Sequence, residues 1–251
     1  MSSDGPTPGD AAPGEAPPPL RAPMVRTSRE ALVACVSIPV ATALVMAYAF
    51  APARAGTPGM LAAIFGLDAA IAAVAIVRMH QGRELFTRMQ LARGDIWLGG
   101  MVAGLLYGIA MLAHLVLTPH LTAREAWIMR LYLQIGDPRG NGSELVSGAV
   151  FVVAALEEVA WRGLVQRSLE DVLGPIRAVV VTAALFALAH APTLWLLGDP
   201  TAGPNPLVVL AGFGCSLVWG ALVLRTRRLV PSIVAHALFS WAIVEFPIWR
   251  P

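Results

Sequence analysis

Two adjacent glutamates, Glu157 and Glu158, sit inside a stretch that otherwise reads as a membrane-spanning helix, Leu145 to Leu164, and Arg162 follows on the same stretch. An ionised carboxylate at the centre of a bilayer is disfavoured by roughly 3 kcal/mol, so charges there face a bundle interior or a wet cavity and mark function. On a helix Glu158 and Arg162 stand at i and i+4, with the acid nearer the N-terminus, which is the favourable order for an ion pair. Glu157 projects about 100° away around the same helix, so the pair need not neutralise it. It is the candidate reactive carboxylate, suited to general-base work on a water.

Two histidines lie within other apolar stretches. His190 closes Phe186-Ala-Leu-Ala-His190, where Phe186, one turn earlier, can wall the imidazole. His236 opens His236-Ala-Leu-Phe-Ser240, which puts the Ser240 hydroxyl one turn later on the same face. A lone histidine on an apolar helix is more often a core residue than a catalyst. Two of them, together with Glu-Glu-x-x-x-Arg, on three separate spans favour chemistry, because an imidazole titrates near neutrality and can orient a carboxylate-bound water.

The elements that carry these groups follow from composition. With 57% apolar and 14% charged residues, the 251-residue chain has too little polar surface for a soluble globule. An all-α, polytopic transmembrane helix bundle of about seven to eight spans is expected. The seven candidate spans are Ala31–Phe50, Pro58–Val77, Ile96–Leu117, Leu145–Leu164, Ile176–Leu197, Pro206–Leu224 and Val230–Trp249. Arg21, Arg26 and Arg29 precede the first span. Arg78, Arg83, Arg88 and Arg93 follow the second, Arg167 and Arg177 flank the join of the fourth and fifth, and Arg225, Arg227 and Arg228 follow the sixth. All fall on one side of a seven-span arrangement, which predicts a cytoplasmic N-terminus and an external C-terminus. All eighteen basic residues are arginine, and their clusters read as topology signals; no nucleic-acid partner is implied.

Residues 1–25 are expected to be a disordered cytoplasmic tail, rich in proline and without an apolar period. Between Thr118 and Ser143, the segment Thr122–Leu133 reads either as an interfacial amphipathic helix or as a polar loop with one short helix. Cys35 and Cys215 read as buried packing thiols. Asp68, in the second span, is expected to make a helix-packing hydrogen bond, with a functional carboxylate as the alternative. His114 and His120 read as interfacial, and Glu245 as reaching water at the outer boundary. Trp161, Trp195, Trp219, Trp241 and Trp249 read as packing or interface anchors, and Trp161, between Glu158 and Arg162, also as a cavity wall.

Taken together, Glu157-Glu158-Val-Ala-Trp-Arg162, Phe186-Ala-Leu-Ala-His190 and His236-Ala-Leu-Phe-Ser240 resemble the three motifs of the CPBP (Abi) intramembrane proteases, the family of the CAAX prenyl endopeptidases and bacteriocin-immunity proteins. The resemblance spans roughly Ser143 to Trp249. It implies a catalytic transmembrane core over residues 143–251, preceded by N-terminal transmembrane helices and an interfacial loop over 26–142. The implied reaction is hydrolysis of a peptide bond near the C-terminus or membrane segment of a substrate protein. Carried over by position, Glu157 is the general base, His190 holds and polarises the water, His236 supports the oxyanion, and Glu158 and Arg162 form the supporting pair. Ser240 stands where the family usually has Asn or Asp, and a hydroxyl reaches less far than an amide. Substrate-binding or oxyanion roles fall to Phe186, Ser240 and Trp161.

The resemblance admits two catalytic types. A glutamate-activated water needs no cofactor; the alternative is a zinc ion on Glu157, His190 and His236. No compact ligand pair such as H-E-x-x-H occurs, and Arg162 would repel a dication, which favours the metal-free type. The implied partners are membrane lipid and a protein or peptide substrate with a C-terminal membrane or lipidated segment. The implied location is an integral, multi-pass protein of a bacterial inner membrane. Prenylated CAAX tails need a prenylation system, so for a bacterial source trimming of C-terminal membrane anchors, as proposed for myxosortase-like members, is a related expectation. A non-catalytic immunity or assembly protein and a proton-coupled transporter are the competing classes. One geometric demand remains: these spans put Glu157 and His236 on the order of 10 Å from the cytoplasmic end, but His190 roughly 20 Å. Helix tilt, a shifted start or a break near Pro192 has to close that gap.

Overall fold

The computed structural model describes residues 28–136 and 143–249. The expected N-terminal tail lies outside the described residues. The chain runs through α1 (Ser28–Ala49), α2 (Pro58–Gln81), α3 (Leu85–Met89), α4 (Asp95–Leu117), α5 (Glu125–Ile135) and α6 (Ser143–Ala160). Without interruption α6 continues into a π-helical turn, Trp161–Gln166, and then α7 (Arg167–Leu173). The remaining helices are α8 (Pro175–Ala189), α9 (Thr193–Leu196), α10 (Leu207–Thr226) and α11 (Val230–Glu245). The protein is an all-α membrane helix bundle.

Local sequence sets these boundaries. Pro58 and Pro175 open α2 and α8 at positions where the missing N–H is not needed, and Pro231 does the same for α11. Gly174 alone joins α7 to α8, at φ +79°, a conformation that side-chain-bearing residues rarely adopt.

Each of the seven expected spans is helical, with corrections to two of them. By length and apolarity alone α1, α2, α4 and α10 can cross a membrane, whereas α8 and α11 are apolar but have only 15 and 16 residues. The fifth expected span ends at Ala189, not Leu197, because the chain turns at His190–Pro192, where Thr193 Oγ1 donates to the His190 carbonyl at 2.7 Å. The seventh ends at Glu245, not Trp249.

The core is built around the α6–π–α7 rod. On it pack α2, with Ile71, Ala72, Ala75 and Met79, and α11, with Ala235; α8 and α10 add Phe186, Ala189, Trp219 and Leu222. Small side chains at these crossings let backbones approach closely, which is where packing energy between apolar helices comes from when the surroundings are equally apolar. The closest approach is between α4 and α11, where a Cβ on Gly99 would stand 2.7 Å from the Pro231 carbonyl oxygen. Ile96, Trp97, Met101, Leu105, Leu112 and Val116 of α4 are exposed, as suits a lipid-facing surface.

The two ends of the bundle are tied differently. At one, ion pairs gather the arginine-bearing loops: Arg88 Nε donates to Glu84 at 2.8 Å, Arg167 Nη2 to Glu84 at 2.9 Å, and Arg228 Nη2 to Asp95 at 2.6 Å. Arg167 also pairs with Asp171. At the other end, α5 is the hub. Gln134 Nε2 donates to the Ala49 carbonyl at 2.9 Å and Tyr132 Oη to the Ile243 carbonyl at 2.9 Å. The segment after α11 folds back onto it, with Ile248 N donating to Tyr132 Oη at 3.0 Å and Trp249 Nε1 to Glu125 at 2.9 Å. The loop helix therefore docks inward through Ile128 and Tyr132, leaving Met129 and Leu133 exposed.

Candidate active site

Between α4, α5, α10 and α11 the bundle encloses a cavity of about 580 Å³. Its walls are apolar, with Leu106, Ile109 and Ala113 from α4, Ile128 and Leu131 from α5, Val208, Ala211 and Cys215 from α10, and Phe239 and Ile243 from α11. From the three sequence motifs Glu157, His190, His236 and Ser240 all face it, with Phe186 and Trp219 beside them, and His114 and Thr118 add further polar groups. His190 is the residue that caps the C-terminal end of α8, and it faces this cavity from there.

Glu157 and Glu158 diverge as their spacing requires. Glu158 turns inward, wholly buried, with Oε1 3.1 Å from Arg162 Nη1 and 2.9 Å from His236 Nδ1. Arg162 is held from its far side by Ser216, whose Oγ accepts from Nη2 at 2.7 Å, and it lies over the rings of Phe186 and Trp219 at 5.2 and 5.3 Å. Glu157 turns toward the cavity, its Oε2 3.6 Å from His236 Nε2. His236 thus stands between the two carboxylates.

Hydrogen bonding fixes how each imidazole presents itself. Glu158 is an ion-paired carboxylate and can only accept, so His236 Nδ1 carries the proton of that contact and Nε2 is the nitrogen turned to Glu157. His190 Nδ1 lies 2.8 Å from the Phe186 carbonyl oxygen, which likewise only accepts, leaving Nε2 as its free lone pair. Phe186 lies between the two, with ring centroids 4.6 Å from His190 and 6.5 Å from His236. Such a set can bind a water, take its proton and stabilise a developing negative charge.

Several expectations need correction. Trp161 does not line the cavity: it is fully buried and packs edge-on against Phe186 at 5.1 Å, because the π-helical turn carries it behind that ring. His114, expected at the interface, is buried against the cavity, with Nδ1 2.6 Å from Thr118 Oγ1; His120 is exposed and pairs with Glu125 at 2.7 Å. Glu245 is exposed, as expected, and accepts from Ser147 at 2.9 Å. Cys35 and Cys215 are free thiols, and Cys215 lies on the cavity wall.

Trp219 is more than the packing or interface anchor its sequence position predicts. It is stacked on His236, with centroids 3.6 Å apart and planes 20° from parallel, and no spacing in the sequence signals that pairing. Asp68 is buried, and its Oδ1 has no hydrogen-bond partner, so the expected helix-packing bond is not made by that atom. Among the described residues no three His, Cys, Asp or Glu side chains are gathered closely enough to hold a metal ion, so Glu157, His190 and His236 do not fit the zinc alternative as arranged.

Residues 144–242, about two fifths of the chain, match the family model described as type II CAAX prenyl endopeptidase Rce1-like. The match contains all three motifs and agrees with the family they resemble. No curated protein and no solved structure gives a significant match.

Proposed function

We propose that this chain is an intramembrane endopeptidase that hydrolyses a peptide bond with a glutamate-activated water. The family match supports a protease of the CAAX type, and one observation carries the mechanism: Glu157, His190 and His236, from three helices, face the same apolar cavity. In this reading the chemistry belongs to residues 143–251, and the earlier helices α4 and α5 supply walls for the substrate.

Water sits between Glu157 and the lone pair of His190 Nε2. Glu157 takes one proton from it as the oxygen forms a bond to the scissile carbonyl carbon. The carbonyl oxygen gains a negative charge, met by His236, protonated at Nε2, and by the Ser240 hydroxyl one turn away. Glu158 orients His236 through Nδ1 and compensates its charge, and Arg162 in turn keeps Glu158 ionised. When the C–N bond breaks, Glu157 returns its proton to the leaving amine. Trp219 holds the face of the His236 ring, and Phe186 separates the two imidazoles.

A largely apolar cavity that also presents Glu157, His190 and His236 suits an extended peptide whose C-terminal portion is a membrane segment or carries a lipid. The apolar exterior supports a multi-pass membrane protein, and a bacterial inner membrane is its proposed setting. The test uses purified protein in vesicles with two probes, a farnesylated peptide ending in a CAAX sequence and a peptide ending in a hydrophobic anchor. Cleavage of either, abolished by Glu157→Gln with helix content unchanged, is the expected result. Cleavage that survives Glu157→Gln, or no cleavage of either probe, counts against the endopeptidase reading.

A further inference from the structure

We infer that His114, held by Thr118, is a specificity-determining residue of this cavity: it accepts a hydrogen bond from a donor-bearing side chain of the substrate, about five residues from the scissile bond. This deepens the endopeptidase reading and rests on it for the place where the peptide is cut.

His114 is the polar exception on the wall that α4 gives the cavity, where Leu106, Ile109, Ala110, Ala113 and Leu117 surround it in sequence, and it is only 6% exposed. Its Nδ1 lies 2.6 Å from Thr118 Oγ1, and that hydroxyl gives its own proton to the His114 carbonyl at 3.1 Å. Nδ1 is therefore the donor of the shorter contact, and Nε2 is left as a lone pair. The ring is braced by His120, edge-on at 6.0 Å between centroids, and His120 is itself tied to Glu125. An acceptor fixed in an apolar wall is costly unless the occupant of the cavity brings it a donor.

Helix geometry sets its distance from the reacting groups. α4 and α11 run side by side from the arginine-bearing end, where Arg228 pairs with Asp95, and Gly99 meets α11 at Pro231 and Val234. From that crossing His236 is about one turn onward along α11, whereas His114 is about four turns onward along α4. The two imidazoles thus face one cavity at depths that differ by on the order of 15 Å. An extended peptide rises about 3.3 Å per residue, so about five residues cover the interval. The substrate that fits is apolar along this stretch except for one neutral hydroxyl or amide side chain, because a charged donor would be disfavoured by the apolar walls. His114 lies outside residues 144–242, so this selectivity is supplied by a helix separate from the three motifs.

The test uses the full chain in lipid vesicles and the peptide that ends in a hydrophobic anchor, with a single Ser moved residue by residue through an Ala and Leu host. In the wild-type protein the cut should follow the Ser, shifting by one residue for each residue the Ser is moved and staying about five residues away. His114→Phe, which keeps an aromatic ring but no Nε2, should cut at sites that do not track the Ser. Binding is read separately in Glu157→Gln protein, by competition against a photo-crosslinking reference peptide. There the best-placed Ser should bind about tenfold more tightly than its Ala counterpart, and adding His114→Phe should bring the two level. Thr118→Val, which removes the hydroxyl that holds Nδ1, should narrow the preference to about threefold. The cleavage register and the Ser preference are both measured with His114 in place, so they decide the matter even where a variant does not fold. A cut that ignores the Ser, a preference that survives His114→Phe, or equal binding of Ser and Ala peptides at every position, as a backbone donor or water would give, overturns the inference. Absence of wild-type cleavage with the binding preference intact counts against the endopeptidase reading instead and supports His114 as a peptide-binding residue.

Discussion

His236 Nδ1 lies 2.9 Å from Glu158 Oε1, on a contact that crosses from α11 to α6 and orients the imidazole before any substrate arrives. The second glutamate of the motif is thus a positioning group for a histidine 78 residues away, and the first is left to face the cavity. Glu158→Gln should leave the fold in place and still cost about 10- to 100-fold in kcat, because an amide can donate to Nδ1 and allow the wrong tautomer. The comparison of kcat and KM with Glu157→Gln checks this, since the Glu157 variant should lose activity by about 10²–10⁴-fold.

Ser240 is the departure from the resembled motif, and its hydroxyl faces the cavity. Ser240→Ala should reduce kcat by up to about 10²-fold, the scale of one oxyanion donor. Ser240→Asn restores the longer amide and should equal or exceed the wild-type rate. Steady-state cleavage of the farnesylated peptide distinguishes these results, and a Ser240→Ala variant as fast as wild type would remove Ser240 from the proposed oxyanion site.

Gly99 sets the distance between α4 and α11. A Cβ there meets the Pro231 carbonyl and the Val234 side chain, each at 2.7 Å, and backbone cannot give way as a flexible side chain does. Gly99→Ala should destabilise the bundle by about 1–3 kcal/mol and displace the helix that carries His236. Thermal unfolding in detergent measures the first effect. Gly104→Ala, where a Cβ meets nothing within 4 Å, is the matched control.

The tie at the α5 end of the bundle should respond to acid. Trp249 Nε1, Leu121 N and His120 Nδ1 all contact the Glu125 carboxylate, and these contacts lower it from the ordinary range to about 2, with the Trp249 bond the largest cause. A carboxyl depressed on folding contributes fully above its unfolded value, near 4.5, and loses that contribution as the pH falls toward 2. The turn before α5 and the C-terminal segment should therefore loosen over that interval. Hydrogen exchange at Leu121 follows it, and Glu125→Gln should abolish the pH dependence.

For the metal-free reading, purified protein should carry less than one equivalent of zinc and keep its cleavage rate in a strong chelator. Loss of activity on chelation, restored by zinc, would replace glutamate chemistry with metal chemistry.

Much of the candidate site was legible because it is built from residue types that an apolar helix rarely contains. Glu157, Glu158, Arg162, His190 and His236 stand out against their surroundings, and the i, i+4 pairing of Glu158 with Arg162 follows from helical geometry alone. The span ends were less legible. Apolarity runs on through Leu197, and it hid the turn that Pro192 helps to make. Trp219 and Asp68 depend on which helices become neighbours, and a chain pattern does not encode that. Trp161 was misread because its direction depends on a π-helical turn that residue periodicity does not reveal.

That turn has a mechanical consequence. One wide winding between Glu158 and Arg167 means that the upstream and downstream halves of a single rod are phased independently of an ordinary α-helix: the upstream half is aimed at the cavity, the downstream half at Glu84. Rewinding residues 161–166 as ordinary α-helix, with no residue removed, would rotate one half against the other by about 100°. Either the carboxylates would swing off their histidine or Arg167 would swing off Glu84. The candidate site and the charged rim are in this sense cogs on one shaft, and a change that repacks one end is felt at the other.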